Sequence, residues 1–117
     1  MENSFIKILI FFLVFMLYES YAIRRNNNSG DGWRCSDGSA QYDIGLGRFA
    51  VDEHNKQMGT SLVYQTNVKA CAKMVNSGRN WNMTIKALDN GAGKTYMALV
   101  FDIPLGKRTL LSFSGPI

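Results

Sequence analysis

The chain has 117 residues, with thirteen Lys and Arg against nine Asp and Glu, a formal net charge of +4 and 46% hydrophobic residues. A chain this short holds one domain with a modest core, and a single histidine without an acidic pair or metal-ligand cluster leaves little to catalyse with, so no enzyme and no cofactor or metal is expected. The basic residues are scattered along the sequence rather than gathered in a tract, which argues against nucleic acid and for a solvated surface with some attraction to acidic proteins or wall polymers.

Lys7 is followed by an unbroken apolar run from Ile8 to Tyr18, then by small residues at Ser20 and Ala22, the layout of a secretory signal peptide. The run is too short for the roughly 20 residues that cross a bilayer as a helix, and the polar IRRNNNSGDG after it is no stop-transfer flank. The expected organisation is a signal peptide over 1–22, a flexible trunk over 23–32 and a folded domain over 33–117, secreted and free of the membrane in its mature form. An uncleaved anchor is the alternative. Cleavage after Ala22 removes one base, Lys7, and two acids, Glu2 and Glu19, so the mature product is more basic still. Two sequons, at Asn27 and Asn82, are candidate glycosylation sites in that compartment.

Cys35 and Cys71 are an even pair, for which a disulfide is the default in an oxidising compartment. A catalytic thiol working with His54 is the competing reading, and neither cysteine has a local nucleophile signature around it.

Trp33 to Gln41 codes weakly for a strand. From Ile44 the pattern is helical: Leu46, Phe49, Ala50 and Val51 share one broad arc that His54 and Met58 extend, while Arg48, Asp52, Asn55 and Lys56 mostly face away, and Gly59 ends it. The period then changes to two. Leu62, Tyr64, Thr66, Val68, Ala70, Ala72 and Met74 share one face of a long strand, with Gln65, Asn67, Lys69, Cys71 and Lys73 on the other. NSGR reads as a turn, and alternation resumes with Trp81, Met83, Ile85 and Ala87. DNGAGK, Asp89 to Lys94, is a hairpin signal. TYMALVFDI is apolar on both faces and reads as a central or well-covered strand, PLGK turns the chain, and RTLLSF is the last strand. Short connections make the sheet antiparallel.

The stretch LGRFAVDEHNK, Leu46 to Lys56, resembles the helix signature of the plant cystatins, protein inhibitors of papain-like cysteine proteases: Leu, any, any, Phe, Ala, Val, two acidic or polar positions, an aromatic or His, then Asn. Every position is met from Leu46 to Asn55, and the order and spacing continue over nearly all of Gly32 to Phe113. The resemblance implies an α+β, cystatin-like domain in which one helix packs on a four- to five-stranded antiparallel sheet. It further implies a monomeric, reversible inhibitor whose partner is a papain-like cysteine protease. The family's topology runs the strand before the helix antiparallel to the one after it, which could bring Cys35 near Cys71 and close a loop of about 36 residues, adding about 2 to 4 kcal/mol.

In that family a three-part wedge plugs the protease cleft: a trunk glycine, a first hairpin of the form Gln, any, Val, any, Gly, and a second hairpin with Pro-Trp. The trunk corresponds to Gly32 before Trp33, with Asp31 in place of a first glycine. The first hairpin corresponds to Met74, Val75, Asn76, Ser77 and Gly78, where Met74 stands for Gln, Asn76 for Val, and Gly78 matches. Asn76 can adopt a left-handed tip conformation, but its amide would be costly in an apolar cleft. The second keeps Pro104 and has Leu105 for Trp, and is one residue shorter. A truncated hot-spot tryptophan is worth about 2 kcal/mol or more, on the order of 30-fold in affinity. These departures point to a weak or retargeted inhibitor; the alternative is a secreted protein that keeps the scaffold to bind another partner. If the first hairpin is a contact, Gly78→Glu is expected to weaken binding by burying a charge.

Overall fold

Period 3.6 before Gly59 and period two after it dictate one helix followed by a run of strands, and the computed structural model, which describes residues 32–117, has that order. Strand β1 is Arg34–Ser36, helix α1 Gln41–Met58, β2 Val63–Val75, β3 Gly78–Asp89, β4 Ala92–Asp102 and β5 Arg108–Ser114. The strands form one antiparallel sheet in chain order, β1-β2-β3-β4-β5. Helix α1 packs across one face. The expectations for residues 1–31, including cleavage after Ala22 and the sequon at Asn27, lie outside the described residues.

The helix signature is built into the core. Leu46, Ala50 and Val51 are fully buried against Trp81, Met83, Ile85 and Val100 of the sheet, and removing a side chain such as Leu46 down to Ala would cost about 2 to 5 kcal/mol. Asn55 faces away from that core and does something else. Its Oδ1 accepts from the Leu62 N–H (3.0 Å) and the Thr60 hydroxyl (2.8 Å), and its Nδ2 donates to the Leu62 carbonyl (2.9 Å), pinning the connection into β2. Gly59 closes the helix with φ 67° and its N–H on the Asn55 carbonyl. His54 stacks on Phe113 of β5, with ring centroids 4.0 Å apart.

Four expectations are corrected. The helix starts at Gln41 rather than Ile44, without a side-chain cap at Ala40; its first turn brings in the polar Asp43, which is buried and accepts from the Ser36 hydroxyl, so an apolar pattern could not mark it. Met58 does not extend the buried arc but is 66% exposed, just before the terminating glycine. Strict alternation along β2 fails at two register shifts, between Tyr64 and Thr66 and between Asn67 and Lys69. Each extra residue reverses the side-chain phase, so Val68 is exposed and Asn67 is buried, its Nδ2 donating to the carbonyls of Gly38 and Asp43. On β4, Tyr96, Ala98 and Val100 are buried while Met97 is exposed and Leu99 and Phe101 are half-exposed: the strand is central in the sheet, as expected, but among the described residues no second layer covers its outer face.

Candidate functional site

The sheet register gathers one end of the domain. Val75 pairs with Gly78 across a two-residue turn, Asn76–Ser77, in which Asn76 takes φ 46°. One row further in, Arg79 pairs with Asp102, and Asp102 with Arg108. The β2–β3 turn and the β4–β5 loop therefore stand side by side. Gly78 permits this approach: a Cβ there would lie 2.5 Å from the Asp102 carbonyl oxygen and 2.9 Å from the Phe101 ring. The position is buried, so Gly78→Glu would disrupt the turn itself instead of reporting on a contact, and the expectation attached to it is withdrawn for that steric reason.

The β4–β5 loop is a tight turn in which the Gly106 N–H donates to the Ile103 carbonyl (2.7 Å) and the Ile103 N–H to the Lys107 carbonyl (3.2 Å). Pro104 occupies the second position, suited to its fixed φ, and Leu105 the third with φ 60°. That arrangement is a type II turn, whose third position favours Gly or Asn. A leucine held in the left-handed region costs about 1–2 kcal/mol, and its side chain gives nothing back to the fold because it is 96% exposed.

A polar cluster anchors this loop to the start of α1. Asp102 is 1% exposed; it accepts from the Tyr42 hydroxyl and from Arg108 Nε at 3.4 Å. The guanidinium carbons of Arg108 and Arg79 lie 5.3 and 5.8 Å from the Tyr42 ring centroid, and Arg79 is also 5.7 Å from that of Trp81. Burial, and then the Asp102 carboxylate, push the Tyr42 phenol above its ordinary value.

Cys35 and Cys71 face each other in register, their Cα atoms 3.9 Å apart, and are joined by a disulfide that ties β1 to β2. Trp33, just before β1, lies with its ring 5.9 Å from Lys73 Nζ of β2. Gly32 is exposed with φ 86° and leads into Trp33. Of the residues singled out in the sequence, Asn76 and Ser77 form an exposed tip and Leu105 an exposed apex beside half-buried Pro104. Met74 and Val75 are half-buried strand residues behind that tip. Asn82 is exposed on the outer face of β3, opposite Cys71 and Leu99. Sequence reasoning missed Tyr42, Arg79, Asp102 and Arg108. For Arg79 and Asp102 the signal was the alternation itself, which puts Arg79 on the Trp81 face and Asp102 on the Val100 face; Tyr42, ahead of the apolar helical pattern, had none.

Known proteins are similar in sequence to this chain. The model of the family described as SQAPI, aspartic acid proteinase inhibitor, matches residues 39–115. Cysteine proteinase inhibitor 1 of Actinidia chinensis var. chinensis is 34% identical over 91 residues, covering 76% of this chain and 78% of that protein. Cysteine proteinase inhibitor 5 of Arabidopsis thaliana is 39% identical over 72 residues, 60% of this chain and 58% of that protein, and cysteine proteinase inhibitor A of Helianthus annuus 39% over 59 residues, 50% and 71%.

Proposed function

Because the chain belongs to the plant cystatin family, we propose that it is a non-enzymatic, reversible protein inhibitor of proteases, secreted as a monomer after loss of residues 1–22, with a papain-like cysteine protease as its target. The observation that carries this reading is Leu105. A fully exposed leucine in left-handed backbone is a cost to the free protein with no return inside it, and strain of this kind gathers where a surface is shaped for a partner. The neighbouring tip, Asn76–Ser77, is narrow, and the half-buried Met74 and Val75 stiffen it from behind. Trp33, Asn76, Ser77, Pro104 and Leu105 would enter the cleft together, with Gly32 leading into them and no peptide bond offered for cleavage. Without the family's tryptophan, and with Asn76 at the tip, inhibition of a papain-like enzyme is weak.

A second reading is favoured by the description of the matching family model, an aspartic acid proteinase inhibitor: the same wedge end serves an aspartic protease, whose target would differ while the scaffold stays. The alternative in which the scaffold binds a partner other than a protease is separated by the same experiment. Titration of papain, a plant papain-like protease and an aspartic protease, each at its working pH, with the folded protein should give reversible, substrate-competitive inhibition in the cysteine protease arms. Inhibition confined to the aspartic arm establishes the second reading, and no inhibition at micromolar concentration in any arm leaves the non-protease alternative.

A further inference from the structure

Basic side chains that look scattered in the sequence are gathered by the fold. Arg79 and Arg108 share the row of Asp102 across β3, β4 and β5. Lys73 stands opposite Asn80 one position further in, Arg34 opposite Ala72, and Lys107 follows the Leu105 turn. All five therefore lie within a few residues, about 10 Å along the strands, of the end that carries Asn76 and Leu105. The carboxylates nearest to them are turned inward: Asp102 is 1% and Asp43 7% exposed. Asp37, the next along β1, lies beyond Ser36, whose partner Ala70 is five residues back from the end of β2. In the rest of the described chain five cations face four carboxylates, so most of the positive excess belongs to the wedge end. The cations are also held in place, Lys73 against Trp33, Arg79 against Tyr42 and Trp81, and Arg108 against Tyr42 and Asp102.

We infer that the wedge end is an electrostatic docking surface for a protease whose cleft is rimmed with carboxylates, so that rim charge selects the target alongside the shape of the cleft. This rests on the inhibitor reading above. A patch of one sign around the contact accelerates encounter with a complementary rim and disfavours a basic one, and the effect fades as salt shortens the screening length.

The test measures association and dissociation rates of the full protein with a papain-like protease bearing an acidic cleft rim, and with its derivative in which the rim Asp and Glu are changed to Asn and Gln, from about 0.02 to 0.5 M salt. Lys107→Glu should slow association with the acidic-rim enzyme about tenfold at low salt, leave dissociation nearly unchanged, and converge on wild type at high salt. Lys86→Glu, the same change in net charge away from the patch, should stay within about twofold. Rates insensitive to salt, an equal loss from Lys86→Glu, or no discrimination between the two rims would overturn the inference while leaving inhibition standing. Wild type that inhibits neither enzyme at any salt overturns the reading of a papain-like target, and the inference with it.

Discussion

At Gly47, helix propensity and packing pull in opposite directions. In an open helix Gly→Ala gains about 1 kcal/mol, yet here a Cβ would overlap the Asn67 amide and the Tyr64 ring, and Asn67 is held by two backbone carbonyls. Gly47→Ala should therefore destabilise the protein by about 1–3 kcal/mol, read by urea denaturation; unchanged or higher stability would show that the helix can shift away from β2. Gly78→Ala should do the same, because its obstacle is the Asp102 backbone. Leu105 presents the opposite case. Leu105→Gly relieves the left-handed backbone and should raise stability by about 1 kcal/mol, partly offset by the entropy of the unfolded glycine; a loss would mean that Leu105 supports its own loop.

Two elements carry separate predictions. Strand β1 is three residues long and, among the described residues, pairs with β2 alone, so the Cys35–Cys71 bond is a major restraint on the segment that leads out of Trp33. Replacing both cysteines with serine should cost about 2 to 4 kcal/mol and speed hydrogen exchange of the Arg34–Ser36 amides selectively; uniform loss of protection across the sheet would contradict this. The contact of α1 with β5, where His54 stacks on Phe113, should respond to pH. Burial holds the His54 imidazole below its ordinary pKa, so as pH falls below about 6.5 the unfolded chain takes up the proton first and stability is lost. His54→Phe keeps an aromatic face against Phe113, and its Tm advantage over wild type should grow from pH 7.5 to pH 5; a constant difference would contradict the burial. The helix arc, the Asn90–Gly91 hairpin, where both residues take positive φ, and the order of the strands were legible because each has a local code in apolar period or turn chemistry. The bulges of β2 were not, since the residues around them, Gln65 and Val68, carry no local mark and the phase change is imposed by pairing with β3. At the candidate site, the tips at Asn76 and Leu105 could be located by counting along the chain. The strained φ of Leu105 and the Arg79–Asp102–Arg108 row exist only once the strands are in register.

As a whole molecule, the domain separates its tasks along the sheet. The middle holds the core under α1, with Leu46, Ala50 and Val51 on Met83 and Ile85, and needs nothing from a partner. The end that carries the two tips concentrates the positive charge, the anchored loop and, among the described residues, the one leucine whose backbone is strained and whose side chain is bare. If that end is a wedge, folding stability and inhibition must respond to Leu105 with opposite signs. The most direct measurement is the inhibition constant for a papain-like protease of wild type, Leu105→Gly and Leu105→Trp, each shown to be folded by its thermal transition. Leu105→Gly should be at least as stable as wild type yet inhibit about tenfold or more weakly, and Leu105→Trp should inhibit about tenfold or more tightly, as expected for a buried anchor at an interface. Equal inhibition constants for all three folded proteins would contradict the assignment of the Leu105 loop to the inhibitory surface.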